Sequence, residues 1–435
     1  MFGMPVIISY NFKHQTNLMS KKPLILLLML FAVQAYAQNK IKSFVQQQNI
    51  DIRTVSPDSL NFSDLEAIGN AIGDSRIVML GEQDHGDAPA FLAKTRLIKY
   101  LHEKKGFNVL AFESDFFSLN EGWKKLDKNR AAISKFLAEN IFTIWTKAKQ
   151  CDNLFNSYVP ATYQTNSPLI MTGFDCQLHG KYSDKNLKIT VDSFLRSQDL
   201  PFTKTAVYRS AFLPFVDSTM ISKNITMHLE FTKQLELMIN KIAKKDSTSL
   251  ELMMLKSLYA QSSAGILYLK RKVGYLDFRD RQMAENLKWL VQKKYPNEKI
   301  IVWAHNLHIL KNPELIKGLQ GISKTMGEAF TEDKSLEKST YILGFASKQG
   351  TAGRLSTTQK HYTVDRPNRN GFETWMPENA NFAFVDFKKY KLENSNPKEY
   401  FEMKGKSHQS SSAIWTDVFD GVFYIRDMYP TDKLN

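Results

Sequence analysis

The feature that most constrains this chain is a series of short apolar runs, each ended by polar or charged residues. Ile77-Val78-Met79-Leu80 leads into Gly81-Glu82-Gln83-Asp84-His85-Gly86, and Val109-Leu110-Ala111-Phe112 leads into Glu113. Leu169–Phe174 leads into Asp175, and Ile300-Ile301-Val302-Trp303 leads into Ala304-His305-Asn306-Leu307-His308. Runs this short and this continuously apolar suit strands buried on both faces. Segments of helical periodicity lie between them. In Pro89–Glu103, Phe91, Leu92, Leu97, Ile98 and Leu101 recur at helical spacing, and Gly106 suits the C-cap. Alternating strands and helices predict an α/β fold, a largely parallel sheet flanked by helices. Ligands of such sheets bind at the carboxyl ends of the strands, so the terminating residues are the site candidates.

The pattern predicts strands at Arg76–Leu80, Asn108–Phe112, Leu169–Phe174, Lys299–Trp303, Tyr341–Ala346, Phe382–Phe387 and Val422–Ile425. Residues 38–75 read as a helical lead-in broken at Ser56-Pro57-Asp58-Ser59. About 185–295 reads as a long helical insertion, with Leu, Ile and Met at helical spacing. The stretch 348–371, with Gly350, Gly353, Asn368, Asn370 and Gly371, reads as a long surface loop placed to cover the site.

With 43% hydrophobic residues in 435, the chain has material for a large core and is not a disordered protein. Residues 1–37 read as a signal peptide: Lys21-Lys22, an apolar run from Leu24 to Val33, then Ala35-Tyr36-Ala37. Residues 38–435 then form one exported domain, periplasmic or secreted, without stable membrane insertion. The net charge of +14 comes from scattered lysines without an Arg-rich stripe, which suits a solvated surface rather than nucleic acid. Cys151 and Cys176 are too few to demand a disulfide; two buried thiols fit equally well. Oligomeric state is left open.

Glu82 and His85 are spaced i, i+3 at a strand-to-helix turn, where a histidine can act as a general base and a carboxylate can orient its ring. Glu113 and Asp175 abut buried runs, where a carboxylate is costly unless paired. His305 and His308 flank Asn306, which can hold the turn. Arg279 offers positive charge for an oxyanion. No Gly-x-Ser-x-Gly, His-Glu-x-x-His, Gly-x-Gly-x-x-Gly or phosphate-binding Gly-x-x-x-x-Gly-Lys-Ser/Thr motif occurs, so no cofactor is expected.

Taken together, Gly81–Gly86, Gly106–Glu113, Gly173-Phe174-Asp175, Arg279–Asn286, Trp303–His308, Met326-Gly327 and Asp420–Tyr424 resemble the erythromycin esterase family, in order and spacing. The resemblance implies an α/β hydrolase of small-molecule esters, in particular macrolide lactones, acting without a covalent enzyme intermediate. It implies His85 as the base that activates water. Glu82 and Glu113 would orient it, His305 and Arg279 would stabilise the oxyanion, and His308, Asn306 and Asp175 would support them. Ala90 stands where the family often has Glu, and Asn153-Leu154-Phe155-Asn156 replaces its usual Trp-x-Arg continuation. Two other readings use the same residues: a metal-dependent hydrolase built on the His/Glu cluster, and a non-catalytic envelope protein that binds a ligand.

Overall fold

The computed structural model describes residues 40–355 and 361–434. The leader expected at 1–37 lies outside the described residues. In chain order the strands are β1 (Ile50–Asp51), β2 (Ile77–Leu80), β3 (Phe107–Asp115), β4 (Ile170–Asp175), β5 (Lys299–Trp303) and β6 (Thr340–Ala352). They continue with β7 (Tyr362–Thr363), β8 (Phe382–Asp386), β9 (Phe401–Met403), β10 (Ser411–Ala413) and β11 (Gly421–Met428). The main sheet runs β1-β8-β11-β6-β2-β5-β3-β4, with β7 paired to β6. From β11 through β4 all pairings are parallel; β8 and β7 run antiparallel to their neighbours. This is the α/β fold the alternation predicts.

Burial explains why the runs are continuously apolar. Successive strand residues point to opposite faces, and both faces are covered. Val78, Leu80, Leu110, Phe112, Ile301 and Trp303 pack on one side, with the helix Ala88–Lys105. Ile77, Met79, Val109, Ala111, Ile300 and Val302 pack on the other, with Met283 and Leu287 of the helix Tyr275–Trp289. A third core joins the insertion helices Lys181–Ser197, Ile225–Ala243 and Leu250–Leu269 through residues such as Val191, Phe231 and Leu255.

The structure corrects several boundaries. β3 extends to Asp115 and takes Glu113 into the sheet. The lead-in contributes the edge strand β1 as well as helix. The stretch 348–371 is not loop throughout, because β6 runs on to Ala352 and pairs with β7. The β9–β10 hairpin, absent from the expected series, brings residues 404–408 toward the site. Cys151 and Cys176 are buried free thiols. Among the described residues no helix is long and apolar enough to cross a membrane.

Candidate active site

β2, β5, β3 and β4 are adjacent and parallel, so their carboxyl ends converge. Glu82 and His85 follow β2, Glu113 lies near the end of β3, Asp175 ends β4, and His305 and His308 follow β5. The insertion helix Tyr275–Trp289 adds Arg279. All the expected site residues lie here, in distinct roles.

His85 has one committed and one open ring nitrogen. Its Nδ1 lies 3.1 Å from Glu82 Oε1, which fixes the proton on Nδ1 and leaves the Nε2 lone pair free. Nε2 faces Glu113 Oε1 at 3.9 Å, beyond direct hydrogen bonding. Trp145 packs edge-on against the imidazole with ring centroids 5.0 Å apart. The other Glu82 oxygen accepts from Lys94 Nζ, and that lysine is fully buried against the Trp303 ring. Burial lowers the Lys94 pKa to about 8, although Glu82 and Glu113 act to raise it.

His305 is the opposite case. Its Nδ1 accepts from Leu307 N–H at 3.0 Å and its Nε2 donates to the Gln83 carbonyl at 2.8 Å. Both nitrogens are therefore spent on main chain, and the ring caps the short helix Asn306–Ile309. Burial, then the neighbouring His85 and His308, keep its pKa well below the ordinary histidine value, so it is neutral. No ring nitrogen is left for an oxyanion in this conformation. The main-chain N–H of His305 donates to Glu113 Oε2 at 2.9 Å.

Arg279 holds the carboxylates together. Nε and Nη2 reach Asp175 Oδ1 and Oδ2 at 3.1 and 2.6 Å, and Nη2 also reaches Glu113 Oε1 at 2.8 Å. Although burial opposes it, Asp175 and Glu113 raise the Arg279 pKa well above its ordinary value. His308 Nδ1 lies 2.7 Å from Asp280 Oδ1 and Nε2 lies 3.3 Å from Glu113 Oε1. Burial lowers the His308 pKa, but Asp280 and Glu113 outweigh it and carry it up to about 10. A protonated His308 gives its Nε2 proton to Glu113, so the 3.0 Å approach of Arg279 Nη1 is a contact of like charges bridged by carboxylates. Burial alone would raise the Glu113 pKa; His308, His85 and Arg279 bring it well below the usual range, so Glu113 is ionised.

Asn306 is structural. Its side-chain amide accepts from Phe345 N at 3.1 Å and donates to the Phe345 and Gly405 carbonyls at 2.7 and 2.6 Å. A side chain at Gly81 would collide with it, since a Cβ there would sit 1.8 Å from Asn306 Oδ1. The 348–371 stretch does reach the site turn: Arg354 Nε and Tyr362 OH both donate to Asp84.

Two residues escaped the sequence reading. Lys94 looks like a surface position of an amphipathic helix, yet the helix is buried on nearly every side. Asp280 reads as part of an Arg-Asp-Arg surface cluster but is buried under His308. Trp145, which the family resemblance places in the segment after the second strand, packs beside His85. Among the described residues no group of His, Cys, Asp or Glu is arranged to hold a metal ion. The carboxylates face Lys94, Arg279 and His308, and the His305 nitrogens face main chain.

Fold and site together define an α/β protein with a histidine-and-carboxylate centre at the carboxyl edge of its sheet. The erythromycin esterase family model matches residues 102–428, and the chain belongs to that family. Family membership and the names of its relatives support a hydrolase. The Bacillus subtilis (strain 168) protein YbfO, whose name describes it as a hydrolase, is 28% identical over 397 residues, 85% of this chain and 87% of its own. Erythromycin esterase type II of Escherichia coli is 24% identical over 304 residues, 64% of this chain and 71% of its own. A crystal structure of a Bacillus cereus protein superposes with TM-score 0.71 at 17% identity, covering 92% of this chain and 99% of the other. An erythromycin esterase EreC variant in its open conformation gives TM-score 0.60 at 16% identity, covering 86% and 96%. These structural likenesses show the fold.

Proposed function

We propose that the protein hydrolyses a carboxylic ester, with His85 taking the proton from the attacking water. The observation that carries this reading is the divided His85 ring, with Nδ1 held by Glu82 and Nε2 open toward Glu113. Water bound between Nε2 and Glu113 would meet both a base and an acceptor. Its oxygen adds to the ester carbonyl as its proton passes to Nε2. The imidazolium then returns that proton to the departing alkoxide, giving acid and alcohol.

The surrounding charges favour this step. Four carboxylates (Glu82, Glu113, Asp175, Asp280) face three cations (Lys94, Arg279, His308), leaving one negative charge uncompensated. Protonation of His85 supplies the missing cation, so the cluster stabilises the imidazolium that forms. Arg279, partly exposed, is the cation available to the oxyanion. His305 serves by holding the turn and Glu113.

The relative named erythromycin esterase type II makes a macrolide lactone the first ester to test. The Lys21-Lys22 start, the apolar run and Ala35-Tyr36-Ala37 support action outside the cytoplasm. Mass spectrometry of macrolides and simple aryl esters incubated with the purified protein tests the reading. A mass gain of one water on a lactone, or release of phenol, is expected. His85→Ala should reduce the rate by about 10³-fold. No hydrolysis of any member of either panel would end the ester reading.

A further inference from the structure

Two pockets adjoin on the insertion side of Arg279. One, about 190 Å³, is lined by Arg279 together with Gln177, Met220, Gln261, Tyr268 and Tyr275. The other, about 550 Å³, is lined by Lys223, Arg271, Lys272 and Val273 and by the same two tyrosines. The Tyr268 and Tyr275 rings meet edge to face with centroids 5.9 Å apart, so they are a wall common to both pockets. Arg279 links this space to the chemistry, because its Nη2 touches Glu113 Oε1, which faces His85.

The composition of this mouth is unusual in two ways. Large apolar groups of its lining stand in solvent: Val273 is 80% exposed, Tyr268 68%, and Met220 and Tyr275 40% each. Exposed apolar surface concentrated beside a cleft is a mark of binding. Positive charge also collects without compensation. Lys223, Arg271 and Lys272 are exposed, no acid lines either pocket, and none of the three has a carboxylate partner among the described residues. Arg271 and Lys272 follow the C-terminus of the helix Leu250–Leu269, where cations complement the helix dipole. That explanation does not reach Lys223, which comes from the loop before the helix Ile225–Ala243, nor the apolar groups around it.

We infer that this mouth holds the far end of an amphipathic, anionic substrate. Its apolar body lies over Tyr268, Tyr275 and Val273, and its acid group meets Lys223, Arg271 and Lys272. The inference deepens the ester-hydrolysis reading and rests on it for turnover, while binding can be measured alone. A macrolide whose amino sugar is cationic at neutral pH has the wrong sign for this mouth.

The test is a fluorescence titration with two dansyl probes of equal apolar length, one ending in a carboxylate and one in an ammonium group. The carboxylate probe should bind at least ten-fold more tightly, and added salt should shrink the difference. Lys223→Glu, Arg271→Glu and Lys272→Glu together should reverse the preference. Val273→Ser should weaken both probes alike; all four positions are exposed, and an unchanged melting temperature confirms that the variants fold. Equal binding of both probes would overturn the inference. Tight association with phosphatidylglycerol vesicles without probe preference would also overturn it, in favour of a membrane contact. Turnover is read separately with the mono-4-nitrophenyl ester of adipic acid. Charge-selective binding without hydrolysis keeps the mouth and removes the ester reading; hydrolysis without charge selectivity does the reverse.

Discussion

The strand-end cluster and the mouth in the helical insertion lie on either side of Arg279 and are built on opposite terms. At the strand ends Glu82, Glu113, Asp175 and His308 are buried and each faces an opposite charge. In the mouth the charged and apolar groups are exposed and face solvent. A buried charge is tolerated only with its partner, so the first region can change little without loss of the fold. An exposed group carries no such penalty, so the second can change freely. On the proposed reading, chemistry sits where burial is deepest and selectivity where it is shallowest.

The largest break in this contrast comes from Arg279→Met. It removes the contacts to Asp175 and Glu113 and leaves buried carboxylates unpaired. Urea unfolding should show a loss of about 3–5 kcal/mol. A loss below about 1 kcal/mol, the scale of a surface pair, would show that the cluster is not held by its charges.

Lys94→Met should act on the reaction as well as on the fold, since it leaves the buried Glu82 carboxylate without its cation. Its ammonium group opposes a positive charge on His85 through their shared partner Glu82. Without the Lys94 cation, positive charge developing in the cluster is favoured, so the acid limb of kcat/KM should move to higher pH, by about one unit. Lys94 itself is protonated there, since its pKa is lowered only to about 8. An unmoved limb would separate Lys94 from the base.

His305 supplies the smallest effect and the sharpest contrast with His85. His305→Ala removes a helix cap and should cost about 1 kcal/mol. His305→Asn should recover most of that, with kcat close to the wild-type value. A fall in kcat for His305→Asn as deep as that of His85→Ala would give the ring a chemical role that its hydrogen bonds do not show.

The sheet and most of the cluster were readable because a strand buried on both faces must be apolar, so the first charged residue marks its end. Glu82, Asp175 and the two histidines after β5 follow that logic; Glu113 departs from it, because β3 carries it inside the sheet and ends only at Asp115. Lys94 was hidden because helical periodicity reports the average environment of a face; the helix Ala88–Lys105 buries its polar residues as well, among them Arg96 and Lys99. The fate of His305 was hidden for another reason. Whether an imidazole faces substrate or caps a helix depends on main-chain groups, here Leu307 N–H and the Gln83 carbonyl, that sequence does not place.

Asn306 has a consequence beyond the site. Its amide exchanges hydrogen bonds with the main chain of Phe345 on β6, standing in for a residue of a neighbouring strand. The space it fills exists because Gly81 has no side chain. The two positions therefore behave as one inherited unit. A chain that alters Gly81 must surrender the amide, and one that shortens Asn306 gives up its bonds to Phe345 and Gly405. Descendants of this sequence should keep both residues or replace both together.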